Sequence, residues 1–326
     1  MNLKSAYERS RLYRDIRAFF DRRSFLEVET PLLADTLIPE STIYNFSSHF
    51  SSEFHPSGPR YLIPSPEIHM KRLIAHGSGS IYQIAKCFRN NEQIGELHNP
   101  EFTMLEWYEM GADYMDSIEV CQQLIRETAP KQCGEDITGS FRTMSVAQAC
   151  STYAHFDLES TQSLKQIRDV SARLGLSPSS EPLSWEDEFN RIFLSFVEPE
   201  LPADRPLILF DYPHQIRCLA KRKQGEPYRE RWELYIRGIE IANCYTEMTD
   251  PLEIENHYRI EFQAIISDAQ KHDRVIPDTD ERFADLFGPS YPACSGTAMG
   301  LDRLLMVLYN MNTIEDVILF PFSDTI

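Results

Sequence analysis

Apolar residues at Leu12, Ile16, Phe19 and Phe20 recur at three- and four-residue spacing behind Ser5-Ala6-Tyr7-Glu8, which has the form of a capping box. Arg22 and Arg23 suit the negative end of a helix dipole, so the spacing predicts a helix over 5–23. Leu26 and Val28 then alternate with Glu27 and Glu29 until Thr30-Pro31, which reads as a strand ended by a residue with no backbone donor. Tyr61 to Pro64 is a second short strand. Ser65 can cap a helix beginning just after it, Pro66 suits a first helical turn, and Met70, Leu73 and Ile74 form an apolar stripe, which puts Glu67 in that helix's first turn.

Segments 81–89 and 101–108 both read as strands. The polar stretch between them, Asn90 to Pro100, makes a long-looped antiparallel hairpin. Period two puts Phe102, Met104, Glu106 and Tyr108 on one face and Thr103, Leu105 and Trp107 on the other. In the partner strand Arg89 falls with Gln83, Ala85 and Cys87; facing Phe102, it would frame a site for an aromatic, anionic ligand. An exposed sheet face with solvated Glu106 and Tyr108 fits the same alternation.

From about 111 to 230 the pattern is mainly helical, with Phe189, Ile192, Phe193 and Phe196 behind Ser184 and a strand at Leu207 to Phe210. No chemical motif stands out there, and the stretch reads as a supporting insertion in a single domain spanning 1–326. Strand character returns at Glu233 to Ala242. The small-residue run Ala293 to Gly300 precedes a helix bearing Leu301, Leu304, Leu305 and Leu308. In Gly238-Ile239-Glu240-Ile241-Ala242-Asn243-Cys244-Tyr245-Thr246-Glu247, period two splits Glu240 from Asn243 and Glu247. A helical or irregular turn near Ala242 would gather the three into an oxygen-rich pocket for Mg2+ or an ammonium group; solvated surface acids are the alternative. Arg303, in the first turn of its helix after Gly300, opposes the dipole unless an anion binds nearby, although Asp302 could neutralise it locally.

Composition narrows the field. The 326 residues are 42% hydrophobic and 25% charged with no long apolar run, which excludes disordered, collagenous and membrane-spanning classes. Fifty acidic against thirty-two basic side chains give a net charge of -18, a field that repels phosphate backbones. Seven scattered cysteines without a paired spacing read as reduced thiols, and Met1 to Arg11 has neither signal nor transit character, so a cytoplasmic protein is expected. P-loop, zinc-protease and serine-hydrolase motifs are absent. Lys221-Arg222-Lys223, the one compact basic run, is a solvated loop or a contact for an acidic partner.

Phe88-Arg89, the run His98 to Glu106, Gly238 to Asn243 and Gly300-Leu301-Asp302-Arg303 together resemble the catalytic core of class II lysyl-tRNA synthetases. The resemblance runs from about 5 to 323 and implies an α+β fold: an antiparallel sheet bearing the site, flanked by helices. Because the first helix starts within a few residues, it is to a freestanding core with no anticodon-binding domain. Ser65 to Lys71 and Cys294 to Gly300 resemble most the truncated paralogues that attach (R)-β-lysine to a lysine of elongation factor P.

The resemblance implies an ATP-dependent, AMP-forming amino acid ligase. Arg89 and Arg303 would be its catalytic residues. ATP would be held by Arg89, Asn91, Glu92, His98, Asn99, Phe102, Glu240, Ile241, Gly300 and Arg303, and Mg2+ by Glu240 with Glu247. Ser65, Glu67, Glu106, Tyr108, Asn243, Glu247 and Ala298 would grip lysine or β-lysine, with Ala298 narrowing the amino pocket where tRNA synthetases have glycine. Two positions depart from the pattern: Asn91 stands where motif 2 has glutamate, with Glu92 next to it, and Glu96-Leu97 stand where an arginine usually meets the terminal phosphates. A homodimer is expected, with elongation factor P as acceptor and neither tRNA nor membrane as partner. A non-catalytic adenylate-binding regulator and a lysine-activating or amino-acid-synthesising relative are the alternatives.

Overall fold

The computed structural model describes residues 3–91, 95–179 and 181–325, the side chains of 324 and 325 excepted. Eight strands form the main sheet: β1 (Leu26–Glu27), β5 (Ile81–Phe88), β6 (Glu101–Met110), β7 (Arg142–Ser145), β8 (Leu207–Pro213), β9 (Tyr228–Ile236), β10 (Ile239–Thr246) and β11 (Cys294–Gly300). Their spatial order is β1-β5-β6-β11-β10-β9-β8-β7, parallel only in the edge pairs β1/β5 and β7/β8. A small sheet of β2 (Leu33–Ala34), β4 (Gly58–Leu62) and β3 (Ser47–Phe50) sits apart. The helices are α1 (Leu3–Asp21), α2 (Glu67–Ala75), α3 (Ser117–Thr128), α4 (Glu135–Thr138), α5 (Val146–Tyr153), α6 (Leu164–Arg173), α7 (Trp185–Ile192), α8 (Pro251–Ala269) and α9 (Leu301–Tyr309).

One face of the main sheet is core. Tyr82, Leu105, Trp107, Trp232, Leu234, Cys244 and Met299 pack there against Leu12, Ile16 and Phe20 of α1, Leu124 of α3 and Leu304 and Leu308 of α9. Trp107 and Trp232 are fully buried, each contributing about 2–3 kcal/mol of apolar burial. The opposite face holds the polar residues of β6, β9 and β10. The expected alternation in β6 therefore holds, but Glu106 and Tyr108 are buried, which removes the solvated-face alternative.

Three local expectations change. Helix α1 begins at Leu3, so Ser5 is inside it, and its Oγ donates to Asp316 O at 2.6 Å across the fold. The run Glu233 to Ala242 is two strands, not one. They are joined by a tight hairpin at Arg237 and Gly238, whose φ values of 54° and 77° match the twist of the flanking strands. Arg237 tolerates that conformation because its guanidinium is anchored to Asp136 at 2.6 Å and Asn310 at 2.9 Å. Finally, β10 does not turn helical near Ala242. A bulge leaves Ile241 without a partner between the pairs Glu240–Tyr235 and Ala242–Leu234, and this extra residue flips Glu240 onto the face of Asn243, Tyr245 and Glu247.

The segment 111–230 contributes β7, β8 and the start of β9 to the sheet, together with a helical cluster around Ala149, Ile167, Phe189 and Val197. Its basic run is engaged within the chain: Lys221 with Glu230, Arg222 with Glu253, and Lys223 with Asp211 and Glu226. All seven cysteines are free, five of them buried.

Candidate active site

Sheet register builds the site. Gln83, Glu106, Ala298, Asn243 and Glu233 form one row across β5, β6, β11, β10 and β9. Tyr108, Gly296, Tyr245 and Arg231 form the next. Neighbours in a row are about 4.8 Å apart. Because β11 presents Gly296, Ala298 and Gly300 to this face, a trough runs along its middle between taller side chains. A cavity of about 550 Å³ opens at the Gly296 end and one of about 210 Å³ at the Gly300 end, with Arg89, Glu240, Asn243 and Ala298 bordering both.

The larger cavity is an acidic cup. Ser65 Oγ and Tyr108 OH donate to the two oxygens of Glu106 at 2.6 and 2.8 Å, and Ser65 also accepts from Glu67 N at 3.1 Å. Pro66 takes the helix-capping position of α2, so Ser65 serves the first turn from one residue further out. Lys71, which sequence reasoning did not single out, is 1% exposed. Its Nζ lies 2.5 Å from Glu67 and 2.6 Å from Glu247, above the ring of Tyr245. Glu247 Oε1 is buried without a hydrogen bond among the described residues and faces the space over Gly296. Tyr245 OH reaches Glu67 at 3.3 Å.

Charge in the cup is set by burial. The two flanking carboxylates hold Lys71 protonated, its pKa raised despite burial. Burial and the charge of Glu67 push Glu106 up to about 8, against the hydrogen bonds from Ser65 and Tyr108. A bound ammonium favours ionised Glu106, so cation binding releases a proton below that pKa. The dissociation constant for lysine is expected to fall by up to about tenfold per pH unit from 6 towards 8 and then level off, measured calorimetrically. A flat profile would contradict it.

Gly296 is equally telling. A Cβ there would stand 2.7 Å from Tyr108 Cε1 and collide with Glu247 Oε1. Gly296→Ala is therefore expected to weaken lysine binding by at least about tenfold with ATP affinity unchanged, since it fills only the cup; equal losses would count against this placement.

The smaller cavity is lined by Leu97, His98, Asn99, Phe102, Ile241, Gly300 and Arg303. Arg303 donates to Leu97 O at 3.2 Å and Glu240 O at 3.1 Å, and its Nη2 lies 2.6 Å from His98 Nε2. Asp302 does not neutralise it. That carboxylate is buried and turned away, to Arg9 at 2.5 Å and Thr103 N at 2.7 Å. The Arg89 guanidinium stands 5.3 Å over the Phe102 ring, with a buried Nε that has no hydrogen-bond partner among the described residues. Such an orphaned donor calls for an anion. Asn99 is committed to backbone, donating to Glu101 O at 2.6 Å and accepting from Phe322 N at 2.9 Å, and so shapes the loop. Asn91 is exposed with φ 52°, and Glu92 lies outside the described residues.

Glu240 shares its face with two carboxylates: Glu247, whose Oε2 is paired with Lys71, and Glu233, which is paired with Arg231 and lies beside it. Burial and this like charge push Glu240 up to about 7, opposed by Arg303, although 37% of its side chain still faces the water of the cavity. Two adjacent carboxylates suit Mg2+, which is typically held by one or two such groups together with substrate phosphates. No cluster of three or more potential metal ligands occurs among the described residues. Glu233 accepts from Tyr212, Tyr235 and Arg231 at 2.5, 2.8 and 2.6 Å and is thereby fixed. Reading Arg237-Gly238 as a turn would have placed Glu233 opposite Ala242; the bulge at Ile241 moves it opposite Asn243. The insertion also lines the larger cavity, through Glu186 and Phe189 of α7 and Phe193 and Leu194 of the π-helical turn that follows it.

A trough in the main sheet thus joins an arginine-bordered cavity to an acidic cup. The family model for class II tRNA synthetases (D, K and N) matches residues 3–324, and the chain belongs to that family. It is similar over nearly its whole length to proteins named elongation factor P--(R)-beta-lysine ligase. The relative from Vibrio cholerae is 34% identical, covering 97% of this chain and 94% of that protein. The one from Proteus mirabilis is 34% identical over 98% and 95%, and that from Buchnera aphidicola 33% over 99% and 97%.

Proposed function

We propose that the chain is an ATP-dependent ligase that activates (R)-β-lysine, or lysine, as an acyl-adenylate and transfers it to a lysine side chain of elongation factor P. The observation that carries this reading is the junction of the two cavities at Arg89, which puts a carboxylate-lined cup within reach of an orphaned guanidinium donor.

In the first step a substrate carboxylate oxygen attacks the α-phosphorus and the bond to the β-phosphate oxygen breaks, releasing pyrophosphate. Arg89 holds the reacting carboxylate and α-phosphate, Phe102 stacks on the adenine, and Arg303 meets the terminal phosphates. Glu240, with Glu247 or Glu233, would hold Mg2+, which when bound supplies positive charge to the phosphates. In the second step the acceptor amine attacks the acyl carbon, AMP leaves and the amine loses a proton. Neither step asks for a strong general base.

The net charge of -18 favours a protein acceptor over tRNA. No helix among the described residues is long and apolar enough to cross a membrane, and we place the enzyme in the cytoplasm. Leu3, Tyr7, Leu26, Leu32 and Leu33 are exposed on and around α1, β1 and β2. These exposed apolar side chains support a homodimer through these elements. Sedimentation at twice the chain mass is the expected result.

ATP–pyrophosphate exchange tests the reading. Exchange driven by lysine or β-lysine and not by aspartate is expected, because the cup rejects a second carboxylate. Exchange with aspartate would point to an amino-acid-synthesising enzyme, and none with any amino acid to a non-catalytic regulator.

A further inference from the structure

We propose that the chain carries a phosphate-binding site apart from the two cavities of the active site. It is a third cavity, of about 220 Å³, between the loop after β8, the start of β9 and α8. The inference goes beyond the ligase reading and does not depend on it.

His214, Arg217, Arg222, Arg229 and His257 line this cavity, and Glu253 is the one carboxylate among the described residues that do so. Arg217 and His257 form the wall it shares with the acidic cup. Arg217 is neutralised within the chain, by Glu186 at 2.9 Å and Glu261 at 3.0 Å. Arg229 is not. It is 5% exposed, its guanidinium donates only to the carbonyls of Ala220 at 2.8 Å and His214 at 3.3 Å, and it makes no ion pair among the described residues. Burial and the charges of Arg222 and Arg231 lower its pKa, against the opposing pull of Cys218 and Glu253. A buried charge without a counter-charge is costly, and a bound anion removes that cost.

Strand pairing sets a second cation against the first. Arg222 stands directly opposite Arg229 in an isolated antiparallel bridge, where like charges repel. Its counter-charge is Glu253, 3.8 Å away and beyond hydrogen-bond distance, with 54% and 44% of the two side chains exposed, so this pair contributes little. One buried and one surface guanidinium thus face each other across a cavity with a single loosely held carboxylate. Burial and the charges of Arg229, Lys71 and Arg217 push His257 down to about 3, which leaves a neutral ring able to donate one hydrogen bond. A carboxylate would bring one charge and two oxygens to these donors. A phosphate group brings up to two charges and three or more oxygens, and matches two planar guanidinium forks better.

The test is calorimetric, in a buffer free of phosphate, with inorganic phosphate, methyl phosphate and acetate as probes. Inorganic phosphate is expected to bind the wild type with a dissociation constant below about 1 mM, and acetate at least about tenfold more weakly. Arg222→Gln and Arg229→Gln should each weaken phosphate by about tenfold or more, whereas Glu253→Gln, which removes the competing carboxylate, should tighten it. Arg303→Ala should leave phosphate binding unchanged, which separates this cavity from the smaller one of the active site. Arg222 and Glu253 are exposed, so their variants decide the matter even if Arg229→Gln does not fold. Methyl phosphate bound as well as phosphate would show a phosphoryl group carried by a larger molecule, and phosphate bound alone the free ion; both support the site. No phosphate binding, acetate bound as tightly, Arg222→Gln equal to the wild type, Glu253→Gln without tightening, or a loss on Arg303→Ala would overturn it.

Discussion

Arg89→Ala is expected to lower lysine-dependent pyrophosphate exchange by about 10²–10³-fold, the usual loss when a preorganised charge donor is removed from a transition state. Three features single out this side chain. It borders both cavities, it is stacked over Phe102, and its buried Nε has no partner in the ligand-free protein. Nothing else among the described residues uses that donor, so the loss should appear in kcat with little change in the denaturation midpoint. Arg89→Lys should recover little, because an ammonium cannot contact carboxylate and phosphate with the planar fork of a guanidinium. A loss of stability as large as the loss of activity would mean that Arg89 supports the hairpin.

Lys71→Met should show the opposite balance. Lys71 is fully enclosed between Glu67 and Glu247, and removing one partner of a buried pair leaves uncompensated charge, at about 3–5 kcal/mol. Urea unfolding at constant slope would show the effect as a lower midpoint. The sign of its pH dependence is fixed as well. Burial and Glu67 push Glu247 up to about 7 even with Lys71 present, so below that pH the carboxyl takes up a proton and less charge is stranded. The destabilisation should therefore shrink between pH 8 and pH 5.5. A loss independent of pH would indicate that packing of the lysine stem, not charge, is what the mutation removes.

Much of the site was legible in the chain. The faces of β5 and β6, the placement of Glu67 in the first turn of α2 and Arg303 at the start of α9 all come from local periodicity and capping. What periodicity could not give depends on one extra residue or on long-range approach. The bulge at Ile241 brings Glu240 to the site face by a register shift that no alternation reveals. Arg237-Gly238 is a weak turn signal because arginine seldom adopts positive φ, and with the turn unread Glu233 had no place. Lys71 meets Glu247 only because α2 lies over β10, an approach that no local pattern in the chain reveals. Asp302 seemed to shadow Arg303, but α1 supplies Arg9 from 293 residues away.

The most direct check of the ligase activity is the intact mass of elongation factor P after incubation with this protein, ATP, Mg2+ and (R)-β-lysine. One added β-lysyl group on a single lysine is expected, formed only when ATP and the amino acid are both present and lost with Arg89→Ala. An unchanged mass under conditions where the same enzyme preparation charges a tRNA would contradict it.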